Sequence, residues 1–322
     1  MPMKNHYLTI CALLLCSIGM KAQTAGEREE LIKYGDMEHW VTRHIHESAI
    51  IGGHDKTLYE IGPTKTIDGN TPYVNAGGSP WGTSNVMAKV AGIVKTNNCV
   101  YRDSHNGGHC VKMTTHVENV KVLGLVNISV LAAGSIFLGD MKEPITGTKD
   151  GPKALNWGIP FTRRPKALRF DYKMQAAGGD SRIKMTGFSS KSTVAGRDYA
   201  IAILLLQKRS EDAKGNITAR RVGTMVVKYG KTTGGWKENA TYEILYGDIR
   251  KNPHYDAATM GLRSNDYARN SKGKSVPVVE TGWAAAGETP THLLLQFSSS
   301  HGGAYIGSPG NTLWVDNVRL VY

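Results

Sequence analysis

From Pro165 to Met174 the chain alternates with a period of two. Leu168, Phe170, Tyr172 and Met174 fall on one side, and Arg169, Asp171 and Lys173 on the other. That is the spacing of a β-strand with one face in a core and one in water. Leu, Glu and Lys recur at helical spacing nowhere for long, and only Glu27–Tyr34 could form a short opening helix. With 37 glycines and only 20% charged residues, the chain suits strands joined by turns. The expected class is all-β, an antiparallel β-sandwich.

Further strands follow from the same reading. Tyr199–Gln207 is almost continuously apolar, as in a strand buried on both faces. The polar stretch Lys208–Arg220, with Gly215-Asn216, is read as a turn region, and Val222–Lys228 as the return of a long hairpin. Tyr242–Ile249, His292–Phe297 and Leu313–Tyr322 are also expected strands. In the last of these, Trp314, Asp316, Val318, Leu320 and Tyr322 should share a face. Residues 120–139 carry one charge, Lys121, and would pass a crude membrane scan. Gly124, Asn127, Ser129 and Gly134-Ser135 interrupt them, however, and predict two buried strands with a bend near Ala133-Gly134. Gly62–Pro80 and Lys251–Pro277 read as long loops, where sandwiches keep binding surfaces.

The first 22 residues have the parts of a secretory signal peptide: Lys4, an apolar run from Leu8 to Ile18, and Met20-Lys21-Ala22 before the cut. The run is too short to span a ~30 Å bilayer. Leu13-Leu14-Leu15-Cys16 loosely resembles a lipobox, but Leu15 is too large for one. Residues 23–322 are expected as a single domain, or as a segment 23–80 packed on a core domain 81–322. Loss of the leader takes Cys11 and Cys16 and leaves Cys99 and Cys110, for which an oxidising compartment favours one disulfide across Gly107-Gly108. His105 and His109 lie between them and would offer zinc ligands instead.

The formal charge of +12 becomes +10 without Lys4 and Lys21. Only Arg163-Arg164, Lys208-Arg209 and Arg220-Arg221 form tight basic pairs, so the charge is dispersed. Export argues against a nucleic-acid partner; a solvated basic surface, or one that meets acidic polysaccharide or an anionic cell surface, is expected.

Several phrases read together carry a resemblance. Gly35-Asp-Met-Glu-His-Trp40 opens the chain, followed by Trp81-Gly-Thr-Ser-Asn85, Ala133-Gly-Ser-Ile-Phe-Leu-Gly139 and Gly158–Leu168. The end runs from Ser298 to Val318 and contains Gly-Asn-Thr-Leu-Trp-Val-Asp. From about Trp81 to Tyr322 the chain resembles the bacterial "putative carbohydrate metabolism domain" (PCMD) family. Its two ends also look like the first and last strands of jelly-roll carbohydrate-binding modules. The resemblance implies an exported, jelly-roll-like sandwich from glycan-harvesting bacteria, and it supplies no catalytic residue. It also gives Glu38 and Asp316 the right type, at the right ends, for the structural calcium that such modules often hold.

Glycosidases need two carboxyls across one bond, ~5–5.5 Å apart for retention and ~6.5–9.5 Å for inversion. The nearest candidates are Asp171, Glu243 with Asp248, and Glu280, each read first as an ordinary exposed acid. Gly187-Phe-Ser-Ser-Lys191 lacks the last glycine of a serine-hydrolase elbow, and His46-Glu47 lacks the second histidine of a zinc protease. His44 and His46 share a strand face but read as surface residues. Gly52-Gly-His-Asp-Lys-Thr57 has the wrong spacing for a phosphate loop. The sequons at Asn127, Asn216 and Asn239 mean little in a bacterial chain.

Sugar recognition uses flat aromatic platforms edged by polar groups. Of six tryptophans, Trp40 and Trp314 look like core, while Trp81, Trp157, Trp236 and Trp283 lie in glycine- or polar-rich surroundings. The expected carbohydrate-binding set is Trp81 with Asn85, Trp157 with Arg163 and Arg164, and Tyr305 near His301. The function expected is a non-catalytic glycan-binding or glycan-handling protein of the periplasm or cell surface, with polysaccharide or oligosaccharide as partner. A divergent glycoside hydrolase or lyase is the first alternative, and a surface structural or assembly protein the second.

Overall fold

The computed structural model describes residues 27–75, 78–122, 126–147, 151–187, 191–303 and 305–322; the expected leader lies outside them. Eight strands carry the architecture: β1 (Gly108–Val122), β2 (Ser135–Met141), β3 (Ala167–Gln175), β4 (Ala200–Glu211), β5 (Ile217–Tyr229), β6 (Lys237–Glu243), β7 (His292–Ser298) and β8 (Thr312–Val321). One sheet runs β1-β8-β3-β6 and the other β2-β7-β4-β5. Apart from the β4–β5 hairpin, consecutive strands of the eight change sheet, which is the eight-strand jelly roll. The sandwich is therefore as expected.

Between the sheets lie Leu168, Phe170 and Met174 of β3, Leu204 and Leu206 of β4, Leu295 and Phe297 of β7, and Leu313 and Val315 of β8. Phe170 meets Phe297 edge-on across the gap, with ring centroids 4.9 Å apart. β4 is buried from Ala200 to Gln207, and its second face, with Ile201, Ile203 and Leu205, packs a separate cluster against Phe137, Trp157 and Leu294. This agrees with the unbroken apolar run.

Three features differ from the sequence reading. The β4–β5 hairpin is longer than expected, with a turn of only 212–216, because Thr218 and Arg220 alternate outward while Ile217 and Ala219 pack on Ala268 and Val278. Glu29–Leu31, where a helix was conceivable, is a strand on β8: cross-strand pairing outweighs the weak propensity of three residues. The sheets are also not wholly antiparallel. β5 runs parallel to Ser275–Trp283, and Trp40–His46 parallel to Lys65–Asp68.

The bend at Ala133-Gly134 is where the chain leaves one sheet for the other. Val126–Ala133 pairs with β1, and β2 begins at Ser135 in the opposite sheet. A Cβ on Gly134 would lie 2.3 Å from the Cys99 carbonyl oxygen, so only glycine passes. Val126–Ala133 and the start of β2 are accordingly strands, and among the described residues no helix is long and apolar enough to cross a membrane. A second crossing at Ile244 divides the expected strand Tyr242–Ile249 between β6 and the short strand Leu245–Tyr246.

Asp171 sits between two bulges. The register of β3 slips by one residue against both β8 and β6 at this point, and the extra residues include Asn317 (φ +54°) and Asn239 (φ +52°). Asparagine tolerates this left-handed backbone better than most residues. The Asp171 carboxylate holds both bulges, accepting from the Asn239 N–H at 2.6 Å and from Asn317 Nδ2 at 2.8 Å. The slip splits the face expected for β8. Leu313, Val315, Val318 and Leu320 enter the core, while Trp314 and Asp316 turn outward.

Residues 40–97 add a satellite. Asp55–Ile61, Trp40–His46 and Lys65–Asp68 form a three-stranded sheet, and Val86–Val90 with Ile93–Asn97 a hairpin, around Ile45, Leu58, Met87 and Val94. Arg43, paired within the satellite to Glu60 (2.9 Å), fastens it to the sandwich by an ion pair to Glu143 (2.6 Å), just beyond β2.

Cys99 and Cys110 are free and buried, which corrects the expected disulfide. Val100–His105 and β1 do form a hairpin, but its register sets Cys110 opposite Asp103, four residues beyond Cys99. At ~3.3 Å per residue the two lie about 13 Å apart along the ladder, while a disulfide needs Cα atoms within about 7 Å. Cys99 Sγ instead meets Ser84 Oγ and Asn97 Nδ2, each at 3.2 Å.

Candidate functional site

Beyond β5 the second sheet continues into Ser275–Trp283, whose end pairs with β5 so that Arg221 lies beside Trp283. Loops from 247–262 and 284–285 rise around this corner and enclose a surface cleft of about 740 Å³. Trp283, Tyr255 and Leu262 supply its apolar wall; Arg220, Asp248, Arg250 and Thr281 supply polar groups. Tyr255 meets the indole edge-on at 6.4 Å.

The back of the cleft is rigid for an electrostatic reason. The Arg221 guanidinium, 5.6 Å from the Trp283 ring centroid, is fully enclosed and ion-paired with the equally buried Glu280. Arg221 also donates to Thr224 Oγ1 and to the carbonyls of Met260 and Gly261. Glu280 further accepts from Gln207 Nε2 at 2.7 Å and from the Arg263 N–H at 2.8 Å. With each partner satisfied, the buried pair becomes a fixed platform beneath the indole. At the rim, Arg250 holds Asp248 down to about 2, so this carboxylate is ionised at any physiological pH. Trp283 Nε1 bonds to nothing among the described residues.

Most of the expected site residues lie elsewhere. Trp81 and Trp157, 1% and 2% exposed, are core and present no ring face. The Trp81 indole N–H donates to the Lys33 carbonyl at 2.9 Å, and Trp157 fills the second apolar cluster. Asn85 is buried as a splice: its amide donates to the Tyr59 and Val100 carbonyls and accepts from the Cys99 and Val100 N–H groups. Arg163 is tied to Glu30 and packs 5.0 Å over the Tyr322 ring. Arg164 comes nearest the cleft, donating to the carbonyls of Ala286 and Glu288 and so holding the loop that forms one wall. Tyr305 sits in the loop before β8 at φ +63° and does not line the cleft.

Two of the four tryptophans singled out, Trp236 and Trp283, are half-buried and retain surface. Trp236 stacks on His105 on the outer face of the first sheet, leaving Trp283 as the one in the cleft. Its position as the last of nine strand residues was not marked in the sequence, since Ser275–Pro277 read as the end of a loop. Asp171 and Glu280, read as exposed acids, are both buried: the bulges enclose the first, and Arg221 compensates the second.

Glu38 and Asp316, the residues expected for a calcium, each face a different histidine. Glu38 accepts from the His109 N–H at 2.8 Å and faces the same imidazole, while Asp316 Oδ2 faces His105 Nδ1 at 2.7 Å. Calcium takes six to eight converging oxygens, and the donor beside each of these carboxylates is a nitrogen.

A family model described as "Putative carbohydrate metabolism domain" matches residues 64–321. No curated protein matches the sequence. Two solved structures with similar coordinates are each described as a putative glycoside hydrolase. One, from Bacteroides thetaiotaomicron, is 16% identical, with a TM-score of 0.44 over 84% of this chain and 76% of that one. The other, from Bacteroides vulgatus, is 14% identical, with a TM-score of 0.41 over 91% and 94%.

Proposed function

The chain belongs to the PCMD family, and on that premise we propose that it is an exported, non-catalytic glycan-binding protein whose ligand lies in the Trp283 cleft. The observation that carries this is the pairing of Trp283 and Tyr255 with Arg220, Asp248 and Arg250 in one open cleft. A pyranose offers a C–H face to an aromatic ring and a rim of hydroxyls to planar polar groups. Among the described residues lining the cleft, Asp248 is the one carboxylate, whereas glycoside hydrolysis calls for two facing one bond. Binding is therefore the better fit.

Titration of the purified chain with a panel of oligosaccharides, followed by tryptophan fluorescence and calorimetry, tests the proposal. Trp283→Ala is expected to weaken binding at least ~10-fold, about 1.4 kcal/mol, with the fold retained. Trp81→Ala and Trp157→Ala should instead lower stability by about 3–5 kcal/mol as core truncations. Silence across the panel, or binding indifferent to Trp283→Ala, would count against the cleft. Release of reducing sugar abolished by Asp248→Asn would make the protein a hydrolase instead.

A further inference from the structure

On the face of the first sheet turned away from the core lies a cluster that the cleft does not use. Asp171 of β3 and Asp316 of β8 are direct partners across the ladder, Glu238 projects from β6, and His105 comes from the strand beside β1. His105 Nδ1 is 2.7 Å from Asp316 Oδ2, and Nε2 is 3.0 Å from Glu238 Oε1. One donor atom each of His105, Asp171 and Glu238 lies within 4.8 Å of the other two.

Three features mark this as a place for a cation. Asp316, 4% exposed, accepts the Asn317 N–H on Oδ1 and faces His105 Nδ1 with Oδ2, so the imidazole is held in one orientation. An ion at Nε2 would displace the proton that this nitrogen shares with Glu238 Oε1, while Nδ1 stays on Asp316, the arrangement in which a carboxylate orients a metal-ligating histidine. Charge is the second. Four carboxylates, Asp103, Asp171, Glu238 and Asp316, gather around the imidazole, with Lys112 beside Asp103 and Lys173 over the Trp236 and Trp314 rings. Freedom to close is the third. Each Asp171 oxygen accepts one hydrogen bond and keeps a lone pair, while the exposed Glu238 carboxylate touches only His105 among the described residues.

We propose that His105 Nε2, Asp171 and Glu238 bind a divalent transition ion of the zinc type, with Asp316 as the residue that positions the imidazole. One imidazole and two carboxylates suit such an ion and leave a fourth position for water or a ligand hydroxyl. The oxygen-preferring calcium would gain nothing from the histidine. Tetrahedral sites bring donors to ~3.4 Å of one another, given bonds of ~2.1 Å. His105 Nε2 and Glu238 Oε1 already lie within that distance, so closing the site brings the Asp171 carboxylate and these two groups together from within 4.8 Å.

Trp236 provides the readout, because its ring stacks on His105 at 3.7 Å between centroids. The untagged, chelator-stripped chain is titrated with Ni²⁺ or Co²⁺, which quench a nearby indole, and with Zn²⁺ by calorimetry. Saturable quenching at one ion per chain, displaced by Zn²⁺ and not by Ca²⁺, is expected. Glu238→Gln should weaken binding at least ~10-fold with unchanged thermal unfolding. Trp236→Phe should remove most of the quenching and leave the calorimetric binding. Non-saturating quenching, equal affinity in Glu238→Gln, or Ca²⁺ bound more tightly than Zn²⁺ would each overturn the site. None of these results depends on glycan binding at Trp283.

Discussion

Arg43 and Arg221 are each enclosed to within 1% of full burial, yet neither is an uncompensated charge. Glu60 and Glu143 flank the first and Glu280 the second, and removal of one such partner would strand a buried ion at a cost of about 3–5 kcal/mol. The same enclosure silences the cysteines. Burial pushes the Cys99 thiol up to about 11 and that of Cys110 up to about 12, so almost no thiolate exists near neutral pH. Neither should react with iodoacetamide in the native protein, and both should label once denaturant opens the fold, as read by peptide mass spectrometry. Recovery of a peptide pair linked through Cys99 and Cys110 would contradict the register between their strands.

Among the elements, the crossing strands bear the tightest restraint. At Gly134 the backbone leaves the β1 sheet for β2, with the Cys99 carbonyl and the Thr114 N–H closer than any Cβ allows. Gly134→Ala must therefore displace backbone rather than a flexible side chain, and a loss of about 2–3 kcal/mol is expected in urea unfolding. By contrast, Gly92 in the turn of the satellite hairpin has open space around it, so a substitution there meets only backbone strain at φ +81°. The Asp171 bulges act at this scale too. They put Trp314 and Asp316 outside while Val318 and Leu320 stay in, so a single inserted residue creates the polar face around His105.

For the molecule as a whole, two histidines held neutral make part of its stability depend on pH. Burial lowers His292 to about 4, with Arg209 adding to it, and burial with nearby cations lowers His301 to about 4. Unfolded, each returns to the ordinary value near 6.5 and takes up protons that the folded chain refuses. The contribution of these two rings is therefore full above about pH 6.5 and declines as the pH falls toward 4, by about 1–2 kcal/mol for each half-buried ring, while the buried Glu60 and Asp316, raised to about 7 and about 6, act in the opposite sense. In urea unfolding between pH 4 and 7, the native chain should lose more stability toward acid than the chain carrying His292→Gln with His301→Gln.

Alternation along Leu168–Met174, the apolar run in β4 and the bend at Gly134 were legible because each depends on residues near one another in sequence. So were the class of fold and the family, carried by phrases spread along the chain. Which aromatic ring meets solvent was not. Trp81 and Trp157 stand among glycines and polar residues as Trp283 does, and only their distant partners distinguish them: Lys33 for one, Leu294 for another, Arg221 for the third. The identity of a strand residue sets which neighbours it can tolerate, whereas its exposure depends on what chains far away in sequence lay over it. Local alternation therefore determined the sandwich, and long-range packing alone decided where it keeps a cleft.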